Sequence, residues 1–370
     1  GFSVVAVSLK KKCGADAGVW GDGEFTLVEM ARAIERGGGW RGLPNLVLRG
    51  RGGFERSAHF AWPLGDLPRM TRRWVDNARY FREGGQAGFE TKRGCEGACV
   101  YCADPVAKGR RTRPRAPGAV ADEIEALLAQ GIDHLHTCDG EFNLPEEHAL
   151  EVCRELVRRG LGGRLRWYAY CTPAPFSREL AAAMRAAGCA GVNFGADNGD
   201  AAMLRRLGRG FAPEDIAGAA ARAKAEGMAV MLDLLLGSPG ESRASLARTV
   251  ELARRSGADV VGVSVGVRIY PGTPLAARLG ESGAATAEPV FFLEPALAPF
   301  IFEFLDGLIA GDPRFLFHDP TRPARNYNYN GNQRLEQAIR GGARGAYWDI
   351  LRRLTPPGSA CGTERAPDKG

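Results

Sequence analysis

The feature that most constrains the fold is a repeated alternation of short apolar runs with longer amphipathic stretches after residue 88. Short runs rich in β-branched and aromatic residues predict strands, and apolar residues recurring at helical spacing predict helices. The predicted strands cover residues 88–93, 132–138, 165–171, 190–197, 228–237 and 258–270, and the predicted helices cover residues 117–131, 145–159, 177–188, 213–227 and 241–257. Alternation of this kind predicts an α/β fold with a parallel sheet, closed as a partial barrel of six βα units.

Three cysteines lie together directly after the first predicted strand, in "GCEGACVYC" at residues 94–102. In a parallel barrel this position belongs to the edge where active sites lie. Cys95, Cys99 and Cys102 form a CxxxCxxC pattern, and an odd total of nine cysteines argues against a disulfide framework. Structural zinc sites take four ligands, so zinc is the lesser alternative here. Three thiolates suit a four-iron cluster in which one iron is left open.

The cysteine pattern, with Tyr101 before its last cysteine, resembles the signature of the radical S-adenosylmethionine (SAM) superfamily, and the resemblance covers most of residues 85–275. It implies that the three cysteines bind a [4Fe–4S] cluster and that the open iron chelates the amino and carboxylate groups of SAM. It also implies an electron donor, such as a flavodoxin or ferredoxin, that drives cleavage of SAM to a 5′-deoxyadenosyl radical. Tyr101 is then a residue of the cofactor site.

The segment "CDGEFN" after the second predicted strand is similar to the Gly-Gly-Glu segment that grips the SAM ammonium in this superfamily. Asp139 stands in place of the first glycine, followed by Gly140 and Glu141. Without the cysteines, the same residues are typical of an Asp-Gly turn with an exposed glutamate. The resemblance therefore implies that residues 139–141 bind SAM.

Three later strand ends complete the implied cofactor site. Asp197 follows the fourth strand, where related enzymes place polar contacts to SAM, and a carboxylate there suits ribose hydroxyls. Gly237 and Pro239, in "LLLGSPGES", are similar to a loop that lies beside adenine. Arg268, at the end of the sixth strand, is a candidate contact to SAM or substrate. Each of these segments taken singly also fits an ordinary turn.

The N-terminal segment resembles the cobalamin-binding branch of the superfamily, where a Rossmann-like domain ends in a Gly-Glu-Gly-Glu-like segment; here the residues are Gly21, Asp22, Gly23 and Glu24. The earlier half of that domain has no counterpart in this sequence, so we expect residues 1–84 to be its remnant and assign no cobalt ligand. The branch commonly transfers methyl groups to inert carbon or phosphorus, and also forms rings and rearranges substrates. A non-catalytic iron–sulfur barrel that acts with a partner is the remaining alternative.

Substrate contacts are expected inside the barrel, which we place at residues 85–280. Tyr170 and Cys171, at the end of the third strand, are candidates to donate a hydrogen atom or proton to a product radical, although barrel filling is the simpler interpretation. An α-rich extension is expected over residues 281–356, with a disordered tail at 357–370. Its aromatic residues, including the run from Asn326 to Asn330, Tyr347 and Trp348, could cap the barrel mouth or dock the extension.

Composition limits the remaining function classes. A hydrophobic fraction of 45% and a charged fraction of 25% are typical of a soluble globular chain, and no apolar run is long enough to span a bilayer. The net charge of +6 is mild for 370 residues and gives little support for a nucleic-acid partner. The sequence therefore favours a cytoplasmic enzyme that acts on a small molecule or a peptide.

Overall fold

The structure is a computed structural model, and it describes residues 14–50, 53–67, 70–280, 289–317 and 332–354. The strands of these residues are β1 (Ala17–Val19), β2 (Leu46–Gly50), β3 (Gly53–Arg56), β4 (Ala87–Phe89), β5 (Lys92–Arg93), β6 (Arg113–Pro114), β7 (His134–Thr137), β8 (Arg166–Cys171), β9 (Cys189–Asp197), β10 (Ala229–Leu236), β11 (Val260–Val265), β12 (Val267–Ile269), β13 (Val290–Phe292) and β14 (Phe315–Phe317).

Helices follow most strands of the barrel and also flank it at both ends. Their ranges are α1 (Glu24–Glu35), α2 (Asn77–Arg82), α3 (Asp104–Lys108), α4 (Pro117–Leu128), α5 (Glu146–Arg158), α6 (Arg178–Ala186), α7 (Ala201–Leu207), α8 (Pro213–Ala225), α9 (Arg243–Arg255), α10 (Pro274–Arg278), α11 (Ile301–Ile309), α12 (Gln333–Arg340) and α13 (Tyr347–Leu354). Among them, no helix combines the length and apolarity that a membrane span needs.

The main sheet confirms the predicted α/β partial barrel. It has seven strands in the order β14-β11-β10-β9-β8-β7-β4, and every neighbouring pair is parallel. The five predicted helices between strands are present as α4, α5, α6, α8 and α9. Ser177 is the N-cap of α6, since its side chain accepts a hydrogen bond from the Leu180 amide at 3.0 Å.

Alternation along the strands separates two faces of the sheet. On β8, Trp167, Ala169 and Cys171 are buried in the large apolar core shared with the surrounding helices. Tyr168 belongs instead to a smaller cluster inside the barrel, together with Met231 of β10. Side chains two residues apart therefore share the barrel interior, and this parity decides which candidate residues can reach a substrate.

One prediction at the end of the barrel was wrong. The sixth strand is not continuous over residues 258–270: it ends at Val265, and β12 leaves the sheet after Gly266 to pair antiparallel with β13. The described part of the α-rich extension contains α11, α12 and α13, and it also supplies β14, a seventh parallel strand beside β11 that was not predicted. An apolar run of three residues in a strand gives too little periodicity to be recognised from sequence.

The described part of the N-terminal segment forms a small antiparallel sheet, β1-β2-β3, with helix α1. It is tied to the barrel by ion pairs of Asp22, whose carboxylate contacts both Arg93 and Arg113. Glu24 forms a further pair with Arg93 at 2.6 Å. The predicted glycine- and acid-rich segment thus lies against the strands that flank the cysteine loop. Its origin as the remnant of a cobalamin domain stays a prediction.

The described end of the extension closes the amino-terminal end of the barrel. Trp348 of α13 packs edge-on against Tyr168, with ring centroids 5.9 Å apart, and the Tyr168 hydroxyl donates to Asp349 at 2.8 Å. Of the two expectations for the aromatic tail, these residues support docking by aromatic burial. The run from Asn326 to Asn330 and the tail at 357–370 lie outside the described residues.

Candidate functional site

The cysteine loop leaves the barrel between β5 and β6, which pair antiparallel and bring its two ends together. Backbone hydrogen bonds fix its middle: the Val100 amide donates to Leu207 at the end of α7, and the Leu275 amide donates to Val100, both at 2.9 Å. Gly208 permits this approach, because it has a φ of +76° and a side chain there would meet the Ala98 carbonyl. The loop is therefore held by elements from two other strand ends.

Cys95, Cys99 and Cys102 are free thiols of intermediate exposure on this loop. A Cβ atom at Gly97 would lie 3.3 Å from the Cys95 sulfur and 3.7 Å from the Cys99 sulfur, so the glycine keeps the space between these two sulfurs open. Burial raises the pKa of all three thiols, that of Cys102 to about 12. Bound metal is what usually holds such thiols in the thiolate form.

The donor set fits an iron–sulfur cluster, in which each thiolate binds a different iron. As they stand, no three His, Cys, Asp or Glu side chains within the described ranges are grouped so as to hold a single metal ion. The assignment of the three cysteines as cluster ligands remains a prediction based on thiol chemistry and on their common loop.

A buried arginine that was not among the predicted site residues lies at the centre of the site. Arg209 follows α7, and its side chain is 6% exposed. Its guanidinium donates to the Cys99 sulfur at 3.0 Å and to the Gly195 carbonyl at 2.7 Å. It also lies 3.4 Å from carboxylate oxygens of both Glu141 and Asp197. One cation thus connects a predicted cluster ligand with two predicted SAM contacts.

Tyr101 and Asp197 form a hydrogen-bonded pair beside Arg209. The tyrosine hydroxyl donates to the Asp197 carboxylate at 2.5 Å, and Asp197 is buried with a left-handed φ of 56°. Burial raises the pKa of Asp197, an effect that the neighbouring Arg209 opposes. The structure therefore brings these two predicted residues together, and it gives Asp197 protein partners on the side that faces the cysteine loop.

Glu141, a predicted SAM contact, has a carboxylate oxygen that is available to accept a hydrogen bond from a ligand. One of its carboxylate oxygens is buried without a hydrogen-bond partner among the described residues. Burial raises the pKa of Glu141 to about 7, although Arg209 acts in the opposite direction. An acceptor left in this state is one that a ligand ammonium could satisfy.

The Asp139 side chain is bound by groups of the protein itself. Its carboxylate accepts from the Thr91 amide and hydroxyl at 2.9 and 2.6 Å and forms an ion pair with buried Lys92 at 3.5 Å. Lys92 in turn donates to the backbone carbonyl of Glu141 at 2.6 Å. These contacts engage the Asp139 carboxylate, and a role of residue 139 in binding SAM through its backbone stays a prediction. It fixes the Gly140–Glu141 segment to the strand that precedes the cysteines.

The loop after β10 is also internally fixed. Glu241 accepts from the Gly237 amide at 2.6 Å and from the Asn198 side chain at 2.6 Å, so the ends of β9 and β10 are joined through one buried carboxylate. Pro239 lies in this turn. Arg268 is exposed on β12, with its guanidinium 4.6 Å from the centre of the Tyr270 ring. The cofactor roles of Gly237, Pro239 and Arg268 stay predictions.

The two residues predicted as catalytic point to opposite faces of β8. Tyr170 faces the barrel interior and is 42% exposed there, and its hydroxyl donates to Asp233 of β10. Cys171 is fully buried in the apolar core on the helix side, so its predicted role as a hydrogen-atom or proton donor is wrong. Asp233, alone in the apolar run "AVMLDLLL", was the signal in the sequence for this interior polar group.

A comparison with known protein families identifies the domain that carries this site. Residues 89–253 match the Radical SAM superfamily. These residues form a radical SAM domain. A tryptophan 2-C-methyltransferase of Streptomyces laurentii is 38% identical over 262 residues, which cover 66% of this chain and 44% of that protein. An uncharacterized methyltransferase of Pyrococcus horikoshii is 26% identical over 70% of this chain and 57% of its own length.

Solved structures extend the likeness beyond the radical SAM domain. The radical SAM methyltransferase TsrM of Kitasatospora setae, solved with tryptophan and a SAM analogue, matches with a TM-score of 0.84 and 29% identity over 95% of this chain and 78% of that chain. The cobalamin-dependent radical SAM enzyme OxsB matches with a TM-score of 0.67 at 14% identity over 95% of this chain and 58% of that chain, a likeness of fold alone. TsrM has also been solved with cobalamin and a [4Fe–4S] cluster bound, and that structure matches with a TM-score of 0.81 at 29% identity, so the predicted resemblance to the cobalamin-binding branch is confirmed. This chain spans less than two thirds of the length of the curated relatives above.

Proposed function

We propose that this protein is a cobalamin-dependent radical SAM methyltransferase that methylates a carbon atom of a small molecule. One observation carries the proposal: three free thiols share a loop at the carboxyl edge of the barrel, where buried Arg209 links Cys99 to Glu141 and Asp197. The similarity to a tryptophan 2-C-methyltransferase supports methyl transfer, with a small aromatic amino acid as the substrate class.

In this proposal Cys95, Cys99 and Cys102 hold the cluster. When bound, the cluster supplies redox activation of SAM, and cobalamin supplies a methyl carrier. Glu141 offers its unpaired oxygen to an N–H of the SAM amino group, and Arg209 keeps Glu141 and Asp197 oriented toward the cysteine loop. Net transfer converts SAM into S-adenosylhomocysteine and replaces one hydrogen of the accepting carbon, which leaves as a proton.

We place cobalamin at a cleft between the N-terminal segment and the barrel. Gly21, Asp22, Gly23 and Glu24 line a cleft of about 480 Å³ together with charged residues that flank the cysteine loop, Arg93 among them. A cofactor between the N-terminal segment and the barrel would face this cleft. We assign no cobalt ligand, and cobalamin dependence is supported by the relatives rather than by a side chain of this chain.

The test is a product assay under anaerobic conditions. Protein reconstituted with iron and sulfide receives SAM with a labelled methyl group, cobalamin, tryptophan and reduced flavodoxin as the electron donor. We expect S-adenosylhomocysteine and a tryptophan product that carries the label, neither of which forms with Cys99→Ala. Protein that holds its cluster and binds SAM, yet forms neither S-adenosylhomocysteine nor 5′-deoxyadenosine, would contradict the proposal.

A further inference from the structure

Inside the barrel lies a carboxylate, Asp233, that forms no ion pair with any cation of the described residues. Asp233 on β10 is surrounded by apolar residues along its own strand, and it shares the interior face with Met231. Its side chain accepts hydrogen bonds from two neutral donors, the Tyr170 hydroxyl and the Asn193 amide, the latter at 2.8 Å. None of the ion pairs found in the described ranges involves Asp233. Buried carboxylates ordinarily have such a partner.

Next to this carboxylate a second acceptor is unused. Asn193 is 8% exposed, and because its amide nitrogen donates to Asp233, its carbonyl oxygen is the atom left over. That oxygen is buried with no hydrogen-bond partner among the described residues. Unpaired buried acceptors are rare, and in a cavity they mark the place of a donor from a ligand or water.

The neighbouring strand leaves room beside the carboxylate. Gly262 of β11 is in register with Asp233, and a Cβ atom there would lie 2.6 Å from the second Asp233 oxygen. Any larger residue at 262 would therefore fill the space in front of that oxygen. Glycine in a buried strand often marks close approach of another group.

The position of this cluster separates it from the cofactor site. Asp233 is in register with Gly195 of β9, and Gly195 is the residue whose carbonyl accepts from Arg209. Asn193 precedes Gly195 by two residues on β9, so it lies on the same face of the strand and further from the carboxyl edge of the sheet. It is in register with Tyr170 of β8. The three side chains thus lie directly beneath the residues assigned to SAM and the cluster, on the barrel side where a substrate would meet the reactive groups.

We propose that Asp233, Asn193 and Tyr170 form a subsite for a primary ammonium group of the substrate. An ammonium matches the site because it carries the missing positive charge and three donors, enough for the Asp233 carboxylate and the Asn193 carbonyl together. A hydroxyl or neutral amide would leave the carboxylate charge unmatched. The inference rests on the proposed function, since it names how the substrate of that reaction is recognised.

The test measures binding rather than turnover. Reconstituted anaerobic protein without reductant is titrated with tryptophan, with tryptamine, which keeps the amine, and with indole-3-propionate, which lacks it. We expect wild-type protein to bind both amines about ten- to a hundredfold more tightly than indole-3-propionate, the range of a charge-assisted hydrogen-bonded contact. In Asp233→Asn, which preserves shape, we expect the preference to fall below about threefold.

Two controls keep the outcomes separate. Glu251→Gln removes a similar charge from an exposed pair on α9 and is expected to retain the amine preference.

SAM binding is measured on the same preparations: absence of SAM binding to wild-type protein contradicts the proposed function. Where SAM binds, equal affinity for tryptophan and indole-3-propionate overturns the ammonium subsite, as does failure of both amines to bind. Loss of SAM binding in Asp233→Asn also overturns it, because the carboxylate would then serve the cofactor. Should Asp233→Asn fail to fold, the relative affinities of wild-type protein for the amines and for indole-3-propionate still test whether the substrate's ammonium group is recognised.

Discussion

Replacing Arg209 by methionine tests whether one buried cation organises the cofactor site. Methionine keeps a long unbranched side chain but removes the charge and all five donors. The replacement leaves Asp197 and Glu141 without the cation that lies 3.4 Å from each, and it removes the hydrogen bond to the Gly195 carbonyl. Because the Arg209 side chain is 6% exposed, water cannot replace these contacts.

The expected loss follows from the burial of the group. Removing one partner of a buried ion pair costs about 3–5 kcal/mol, because the remaining charge is stranded. We therefore expect Arg209→Met to lower the free energy of unfolding of the cluster-free protein by roughly that amount at pH 8. A loss of this size corresponds to a fall in Tm of roughly 6–20 °C for a domain of 150–250 residues.

The loss should depend on pH. Arg209 lowers the pKa of both Asp197 and Glu141 against the effect of burial, so both carboxyl pKa values rise further in the variant. A group with a raised folded-state pKa stabilises most below its unfolded pKa, and this stability is lost as the pH rises through the folded pKa. The difference between wild type and Arg209→Met should accordingly be smaller at pH 5 than at pH 8.

The assay is urea unfolding of both proteins at the two pH values, with Arg209→Lys as the matched control. Lysine keeps the charge but not the planar fork, so we expect an intermediate loss. A loss below about 1 kcal/mol at pH 8, as for an exposed pair, would show that Arg209 does not balance buried charge. So would a large loss that is the same at pH 5 and pH 8, since it would come from packing rather than charge.

Three further substitutions test other parts of the account. Asp139→Asn should destabilise the protein by about 3 kcal/mol in urea unfolding, because buried Lys92 loses its partner, and a loss under 1 kcal/mol would contradict this. In wild-type protein without its cofactors, ionisation of Glu141 should reduce stability as the pH rises from 5 toward 8, since burial raises its pKa to about 7, and Glu141→Gln should flatten that profile. Trp348→Ala should cost about 3–5 kcal/mol through the cavity it leaves while iron content stays unchanged, whereas loss of iron would show that the two ends of the barrel are coupled.

Strong local patterns made the barrel and its cysteine loop predictable. The predicted strands at 165–171, 190–197 and 228–237 are rich in apolar residues, and an amphipathic helix follows each of them along the chain. The spacing of the three cysteines indicated a cluster site by itself. The break at Gly266 was missed because the apolar pattern continues through it into β12, so composition alone does not show that the chain leaves the sheet. The seventh strand, β14, was missed because it has only three residues and follows the apolar helix α11, so its apolar residues look like a continuation of that helix.

The site residues that were missed depend on tertiary contacts. Nothing in "LGRGF" distinguishes Arg209 from a solvent-exposed arginine, because its acidic partners come from other strand ends. Cys171 was misassigned for a related reason: the strand parity that separates it from Tyr170 is fixed only when the buried face is known. Asp139 looked like part of a ligand-binding turn, and only the position of Lys92 shows that its charge is already paired.

We expect Cys95, Cys99 and Cys102 to hold a four-iron cluster whose open iron binds SAM. Its most direct test is anaerobic reconstitution followed by iron and sulfide analysis and by electron paramagnetic resonance of the reduced protein with and without SAM. We predict about four irons and four sulfides per chain, the composition of a [4Fe–4S] cluster, and a spectrum that changes on addition of SAM. Retention of the cluster by the variant with all three cysteines replaced by alanine, or a wild-type spectrum that SAM leaves unchanged, would contradict the account.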